Sequence, residues 1–569
     1  MSMPLIECVP NFSEGRDPAV IKAITDQIES VEGVRLLDAD MGRAANRTVV
    51  TFVGEPEAVV EAAFRAIRTA AERIDMRRHH GEHPRLGATD VCPLVPIAGI
   101  TMEETVEAAR RLAERVGREL GIPVYLYEHA ATSPERRNLA TIRAGEYEGL
   151  AEKLARPEWQ PDFGPPSFSA RSGATVIGAR DLLVAYNVNL NTTSSRRATA
   201  VAFDVREQGR MKRIGHPVTG EIARDEEGQP VWIPGSLKAV KAIGWVIEDY
   251  GIAQVSMNLT NLSVTPVHVA FDEVCRRAEA RGLRVTGSEL VGLIPLQALL
   301  DAGRHYLRQQ QRSLGIAEEE IIDIAVRTLG LSELAPFDPR QKVIEYRLRD
   351  ETAPKLVDRD LRAFANVVAS EAPAPGGGSV AACVAALGAA LGTMVANLSA
   401  HKPGPSWEGR WAQFSEWAER GQAHKEALLR LVDEDAGAFN ALMAAHRLPK
   451  STQAERTARA EAVQTATRAA IEAPLAVMRE AVASTALLRA MAAEGSPSSV
   501  SDAGVGVLCA RAAVRAAFLN VRINLPGITD PEFAAAALAQ GQQLLAQAEA
   551  EEAEILRLVD GALEAPGGE

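Results

Sequence analysis

The sequence predicts a chain of mixed class, with two α+β units of order β-α-β-β-α-β followed by an all-α helical bundle. Three observations carry this. As far as Leu283–Thr286, short β-branched runs alternate with amphipathic helical windows. Two of those runs, Leu182–Leu190 and Ile252–Leu262, alternate strictly with period two, as strands with one buried face do. From Asp360 onward alanine dominates, strand patterns vanish and long helical windows follow one another.

In order, Leu5–Val9 reads as a strand and Pro18–Glu29 as a helix with Asp17 at its N-cap and Pro18 at N1. Val34–Leu37 and Arg47–Val53 are strands. The helix from Pro56 carries an apolar stripe of Val60, Ala63, Phe64, Ile67, Ala71 and Ile74. Ala88–Val95 supplies the fourth strand, and Thr101 with Glu104 predicts a capping box for the next helix. This is the split order of a ferredoxin-like unit. It recurs as strand Leu182–Leu190, helix Arg196–Arg206, strands Val240–Ile247 and Ile252–Leu262, a helix from Pro266 and strand Leu283–Thr286. Gly209–Pro234 is rich in Gly, Pro and Glu and predicts an exposed hairpin. Helices Leu296–Gln311 and Ala317–Thr328 close this half.

The expected domains are 1–181 and 182–348, a linker at 349–357 that contains Pro354, and a helical domain at 358–569. Its helical windows are Leu361–Ser370, Val380–Ala400, Trp407–His446, Gln453–Ala481, Gly504–Asn520 and Pro531–Val559.

Composition narrows the function classes. A formal net charge of −13 without a basic block argues against broad nucleic-acid binding. The five cysteines form no C-x-x-C pair, which suits buried thiols in a reducing, cytoplasmic setting. Met1–Glu7 lacks the basic start and apolar core of a signal peptide. Val380–Leu398 is apolar enough to raise a membrane span, but its small residues suit a helix packed among helices.

Chemistry concentrates in His79–Pro93, which holds His79, His80 and His83 between a helical window and an apolar run. Gly81 and Pro84 keep it in a loop, a place suited to proton transfer. A polar surface loop is the other main reading, and a metal site a minor one, since His79 and His83 would share a face only on a helix, which Gly81 argues against. On the two alternating strands, Asn187, Asn189 and Asn191 and then Gln254, Ser256, Asn258 and Thr260 point away from the apolar side. Rows of neutral donors and acceptors suggest a groove or a ligand, and plain solvation is the other reading. Gly376-Gly377-Gly378 presents N–H groups to an anion or serves as a flexible turn.

In the bundle, Asp435 lies on the stripe of Leu428, Leu431, Val432, Ala438, Phe439, Leu442 and Met443, where burial raises a carboxylate's pKa. It is either an acid poised for chemistry or a buried aspartate that caps a helix or pairs with Arg511 or Arg515. Asp433, next to Leu429, Ala436, Gly437 and Asn440, is expected to be solvated. Arg206 and Arg210 are candidates for substrate carboxylates or for ordinary salt bridges.

Gly-Glu-His-Pro-Arg-Leu-Gly-Ala-Thr-Asp-Val-Cys-Pro at 81–93 and Asn11-Phe12-Ser13-Glu14-Gly15 resemble the formiminotransferase part of the formimidoyltransferase-cyclodeaminase family. So do Gly164-Pro165, Ser167-Phe168, Gly173-Ala174-Thr175 and Ala253-Gln254-Val255-Ser256. Pro375-Gly376-Gly377-Gly378-Ser379-Val380-Ala381-Ala382 resembles its second half.

The resemblance implies a bifunctional transferase and ammonia-lyase of histidine degradation. Its first half would move the formimino group of N-formimino-L-glutamate to N5 of tetrahydrofolate. Its second half would cyclise 5-formiminotetrahydrofolate to 5,10-methenyltetrahydrofolate and ammonia. Tetrahydrofolate, also as its polyglutamates, would be a co-substrate, with no metal. The partners would be these small molecules and further copies of the chain joined through both halves, with no nucleic acid and no membrane. His83 matches the family's catalytic histidine, Asp435 its cyclodeaminase acid and Asp40 a further acid. Gly164, Pro165, Ser167, Phe168 and Gly173 match its folate-binding stretch, and Ser169-Ala170-Arg171-Ser172 departs from the animal pattern. The alternatives are a transferase whose second half is silent or of cyclohydrolase type, and a non-catalytic folate-binding scaffold.

Overall fold

Pro10 has no amide hydrogen to give a ladder, so the first strand is broken into β1 (Leu5–Cys8) and β2 (Asn11–Phe12), which share the same two neighbours. Helix Pro18–Glu29 follows, its N-terminus capped by the Asp17 side chain, then β3 (Val34–Gly42) and β4 (Arg47–Gly54). Helix Pro56–Arg73 buries Val60, Ala63, Phe64 and Ile67 against the sheet. Each such large side chain contributes roughly 1.5–3 kcal/mol of transfer free energy. After β5 (Thr89–Ala98), helix Met102–Arg115 opens with the Thr101–Glu104 capping box.

The antiparallel part of the sheet runs β3-β4-β1/β2-β5. Two further strands, β6 (Val124–Glu128) and β7 (Thr175–Ala179), extend it in parallel as β5-β7-β6. The sequence reading missed both. Val124, Tyr125, Val176 and Ile177 are all buried, and a strand covered on both faces shows no alternation to read.

The second sheet begins with β8 (Val184–Leu190). Two small ribbons lie within 209–234: β9 (Arg210–Met211) pairs β12 (Trp232–Ile233), and β10 (Arg213–Ile214) pairs β11 (Glu221–Ile222). With β13 (Val240–Ile247), β14 (Ile252–Leu259) and β15 (Val285–Val291), β8 forms an antiparallel sheet of order β13-β14-β8-β15. In both sheets the first strand in the chain lies between the third and the fourth. Helices Ser195–Val205 and Val267–Glu279 cover the face formed by Val184, Tyr186, Val188 and Leu190.

These elements come from a computed structural model that describes residues 4–43, 45–81, 83–215, 220–248, 250–348 and 355–564. The chain divides into two units, Met1–Gly303 with Ile322–Arg349 and Arg304–Ile321 with Asp350–Glu569. Residues 349–354 of the expected linker and 216–219 of the expected hairpin lie outside the described residues.

The second unit is helical. Its long helices are Gly377–Ala400, Trp411–His446, Gln453–Glu494, Val500–Asn524 and Pro531–Glu564. The third runs on past Ala481 to Glu494 with Pro474 inside it, because Ala470 and Ile471 before the proline and Leu475, Met478, Leu487 and Leu488 after it all pack into the core. Helix Gly377–Ala400 is long and apolar enough to cross a membrane, yet Ala381, Ala382, Ala385, Ala386 and Ala389 are buried among its neighbours. Segment 304–321 packs with this unit: Leu314 N–H donates to Ser415 Oγ at 2.9 Å and Asn397 Nδ2 to the Gly315 carbonyl at 2.8 Å.

Candidate functional sites

After the 3-10 turn Met76–Arg78 the chain leaves regular structure until β5, and two of the loop's histidines have opposite fates. His79 is buried, its Nε2–H donating to the Asn46 carbonyl at 2.8 Å and its Nδ1 accepting from Arg85 Nε at 3.2 Å. With both ring nitrogens tied into the loop, His79 is a structural residue. His83 donates from Nδ1 to the Pro84 carbonyl at 2.8 Å, which leaves the Nε2 lone pair as the one that accepts from Arg47. Burial first, then the Arg47 and Arg143 charges, hold the His83 pKa down at about 2, so the ring is neutral at pH 7.

Sequence reading did not single out Arg47, which organises this site. Its guanidinium donates to His83 and to Asn11 Oδ1, while its Nε is buried without a partner. Both recipients are uncharged, and burial lowers the Arg47 pKa to about 9. Asp90, almost fully buried, is a carboxylate whose charge acts on Arg47, and it accepts from Leu86 N–H at 3.0 Å and forms an ion pair with Arg143. The signal was available in Asn11, inside a quoted motif, but the arginine that joins it to His83 sits on another strand.

The matched folate stretch divides by role. Gly173 adopts φ +66° and bridges Gly87, so the 164–173 segment docks on the histidine loop. A Cβ there would meet the Leu86 carbonyl. Phe168 is 39% exposed with its ring 5.4 Å from that of Tyr147, and Pro165 and Ser167 are exposed. Gly164 packs against Ile122 and Gly117. Tyr147, whose hydroxyl donates to the Ala170 carbonyl, was missed.

Asp40 sits opposite Val49 in the β3–β4 ladder, and Arg47 stands opposite Gly42. Asp40 and Arg47 therefore share one sheet face as diagonal neighbours, about 7–8 Å apart by ladder geometry. The Asp40 carboxylate accepts from Gly292 N–H at 3.1 Å and lies 3.7 Å from Lys342 Nζ.

The amide row on the second sheet is not plainly solvated. Asn187, Asn189 and Gln254 are buried. Asn187 Nδ2 and Gln254 Nε2 each donate to Glu289 at 3.0 Å, and Asn189 Nδ2 donates to Glu333 at 2.7 Å. Asn191 accepts from Arg284 N–H and Asn258 is exposed, so the row divides along its length. Arg206 and Arg210 serve local structure: Arg206 donates to the Gly209 carbonyl and stacks on Phe203, and Arg210 pairs with Asp204.

In the helical unit Asp435 meets the glycine triplet. Ser379 Oγ donates to Asp435 Oδ2 at 3.0 Å, and burial raises the Asp435 pKa against hydrogen bonds from the Ser379 hydroxyl and backbone. A Cβ on Gly378 would overlap the carboxylate, so the triplet is a place of close approach and not only a flexible turn. The anion at this helix N-terminus is the chain's own aspartate. Arg511 pairs with Glu552 instead of Asp435. Asp433 is half-buried and accepts from Leu356 N–H at 2.6 Å, which corrects the expectation that it is solvated.

The fold and the two sites define a two-unit chain with a half-buried neutral histidine in the α/β unit and a raised-pKa carboxylate in the helical one. Among the described residues no group of three or more His, Cys, Asp or Glu is placed to hold a metal. Residues 5–180 match the formiminotransferase domain, N-terminal subdomain, 185–349 the formiminotransferase domain and 360–543 the formiminotransferase-cyclodeaminase family. The chain is 45% identical to a formimidoyltransferase-cyclodeaminase of Gallus gallus over 98% of its own length and 99% of the relative's. It belongs to the formimidoyltransferase-cyclodeaminase family.

Two further relatives each match one part of the chain. A glutamate formimidoyltransferase of Streptococcus pyogenes serotype M1 is 44% identical over 53% of this chain and 93% of that one. A methenyltetrahydrofolate cyclohydrolase of Methylorubrum extorquens is 38% identical over 33% of this chain and 89% of that one.

Proposed function

We propose that the chain is a bifunctional folate enzyme of histidine degradation. Its α/β unit transfers the formimino group of N-formimino-L-glutamate to tetrahydrofolate, and its helical unit cyclodeaminates the product to 5,10-methenyltetrahydrofolate. The observation that carries this reading is the pairing of neutral, tautomer-fixed His83 with Arg47, a half-buried cation whose guanidinium donates to that ring and to the uncharged Asn11 amide. In the first step N5 attacks the formimino carbon and loses a proton, while the departing glutamate nitrogen gains one. His83 Nε2 takes and returns that proton once Arg47 turns to an anionic substrate group. That movement removes one of the charges holding the histidine's pKa down, so substrate binding itself makes His83 a competent base. Asp40, on the same sheet face, orients the amidine. Phe168 and Tyr147 offer the folate ring system a stacking surface.

In the second step N10 closes on the formimino carbon as its own proton passes to the imino nitrogen, and the C–N bond to the amino group so formed then breaks. Asp435, with its raised pKa, gives the proton that lets ammonia leave. We read the two sheets as ferredoxin-like subdomains and the chain as cytoplasmic. We also propose that it is a homo-oligomer, because Leu387, Leu398, Leu519 and Ile523, each at least half exposed, make apolar faces on two long helices. Light scattering on the purified chain checks the last point.

The cyclohydrolase relative favours a second reading of the helical unit, in which water opens a methenyl ring and no ammonia appears. One experiment separates the readings. Purified chain is given tetrahydrofolate and formiminoglutamate while ammonia and methenyltetrahydrofolate are followed together. Stoichiometric release of both supports the bifunctional reading, and His83→Ala abolishes both unless 5-formiminotetrahydrofolate is supplied. Formimino transfer without ammonia would leave the second unit to the cyclohydrolase reading.

A further inference from the structure

A cavity of about 750 Å³ opens in the helical unit, within the size range of small-molecule pockets. Asp435 is not among its lining residues. The cavity lies along the C-terminal part of helix Gly377–Ala400, where Asn397 is about 18 residues, or about 27 Å, beyond Ser379.

Its chemistry is cationic within a chain of net charge −13. Arg312, Lys402 and Lys425 line it against the single carboxylate of Glu320. Lys402 Nζ donates to Ser496 Oγ at 3.2 Å and lies 4.8 Å from the Trp407 ring centroid. Lys425 is shared with Glu426 at 2.9 Å. Beside Arg312, His401 has its pKa held below the usual value by burial and by the arginine's charge, as expected where the local potential is positive.

Next to Lys402 the lining continues with Ser496, Ser498 and Ser499 at the head of the 25-residue helix Val500–Asn524. That end carries the positive pole of the helix. Ser496 N–H already donates to Ser399 Oγ at 2.8 Å and Ser499 N–H to the Ser496 carbonyl at 2.9 Å, so the serine hydroxyls are the donors it offers a ligand. Ile316, Met394 and Leu398 add an apolar wall.

We propose that this cavity is an oxyanion site, taking the carboxylate or phosphate of a small ligand between Arg312, Lys402 and the head of helix Val500–Asn524, with the ligand's apolar body against Met394 and Leu398. The site is independent of the folate reading, since it would bind such a ligand in a chain inactive in both steps.

Trp407 beside Lys402 supplies the readout. Inorganic phosphate, phenyl phosphate and benzoate are titrated separately into the full chain at constant ionic strength while tryptophan fluorescence is followed, with calorimetry alongside. Saturable binding of at least one probe is expected, weakened tenfold or more by Lys402→Gln and by Arg312→Gln and unchanged by Arg468→Gln, which removes a surface ion pair with Asp530. Trp407→Phe should remove the fluorescence change and keep the calorimetric binding. Preference for phenyl phosphate or for benzoate tells the two ligand sources apart. Arg312 is exposed, so Arg312→Gln remains a valid test if Lys402→Gln fails to fold. Absence of saturable binding by all three probes, or equal affinity in wild type and the Arg312 variant, overturns the proposal.

Discussion

Gly378→Ala separates the catalytic reading of Asp435 from a structural one. On propensity alone the substitution favours the helix by about 0.5–1 kcal/mol, because alanine loses less backbone freedom than glycine. The added Cβ, however, would occupy the space of the Asp435 carboxylate, and overpacking of this kind costs roughly 1–3 kcal/mol. The net cost is then roughly 0–2.5 kcal/mol, so the thermal midpoint should fall by only a few degrees. The carboxylate has nowhere to stay. It must rotate off Ser379 or the two helices must part, and a displacement near 1 Å costs about 100-fold in rate.

The expected outcome is therefore a folded protein with normal formimino transfer and ammonia release from supplied 5-formiminotetrahydrofolate reduced about 100-fold. Asp435→Asn and the double variant complete the cycle. If Gly378→Ala acts only through Asp435, the double variant is no slower than Asp435→Asn alone. Wild-type ammonia release in Gly378→Ala, or a double variant far slower than either single one, would refute this reasoning.

Other tests address the α/β unit and the pH dependence. Arg47→Gln removes one of the charges that depress His83, so its pKa, followed by NMR of the ring, should rise from about 2 towards 6.5 while transferase activity falls. A neutral His83 also contributes stability that is complete above pH 6.5 and is lost as pH falls below it, and His83→Gln should flatten that part of the stability curve. Asp435 has the opposite sign. Its folded pKa is raised, so its contribution is most favourable below the usual 3.8 and declines as pH rises through the folded value. Asp435→Asn should accordingly leave the pH 7 melting temperature equal or higher. Asp90→Ala strands Arg143 in a buried setting and frees Leu86 N–H, so it should destabilise by about 3–5 kcal/mol in urea unfolding.

The sequence by itself determined the parts whose physics is local. The Asp17 cap with Pro18, the Thr101–Glu104 box, the stripe from Val60 to Ile67 and the alternation along β8 and β14 are interactions within one element, or between an element and a single surface. They are legible as spacing. The loop character around His83, between the 3-10 turn and β5, was legible for the same reason, since Gly81 and Pro84 act on their own backbone. What lay beyond reading depends on who the neighbour is. β6 and β7 are buried on both faces, and nothing in their sequence shows alternation. Helix Gln453–Glu494 passes through Pro474 because core contacts on either side outweigh one lost hydrogen bond.

The sites divide in the same way. His83 and Asp435 could be named from the chain, but their states could not. The neutrality of His83 comes from burial and from arginines 36 positions before it and 60 after it. The close approach of Gly378 to Asp435 joins two helices 57 positions apart. Whether Asn187, Asn189 and Gln254 face water or carboxylates was decided by Glu289 and Glu333, on later elements. A side chain's donors and charges are written in its own residue type, whereas its desolvation and its partners are properties of the space around it, which exists only once distant segments have packed.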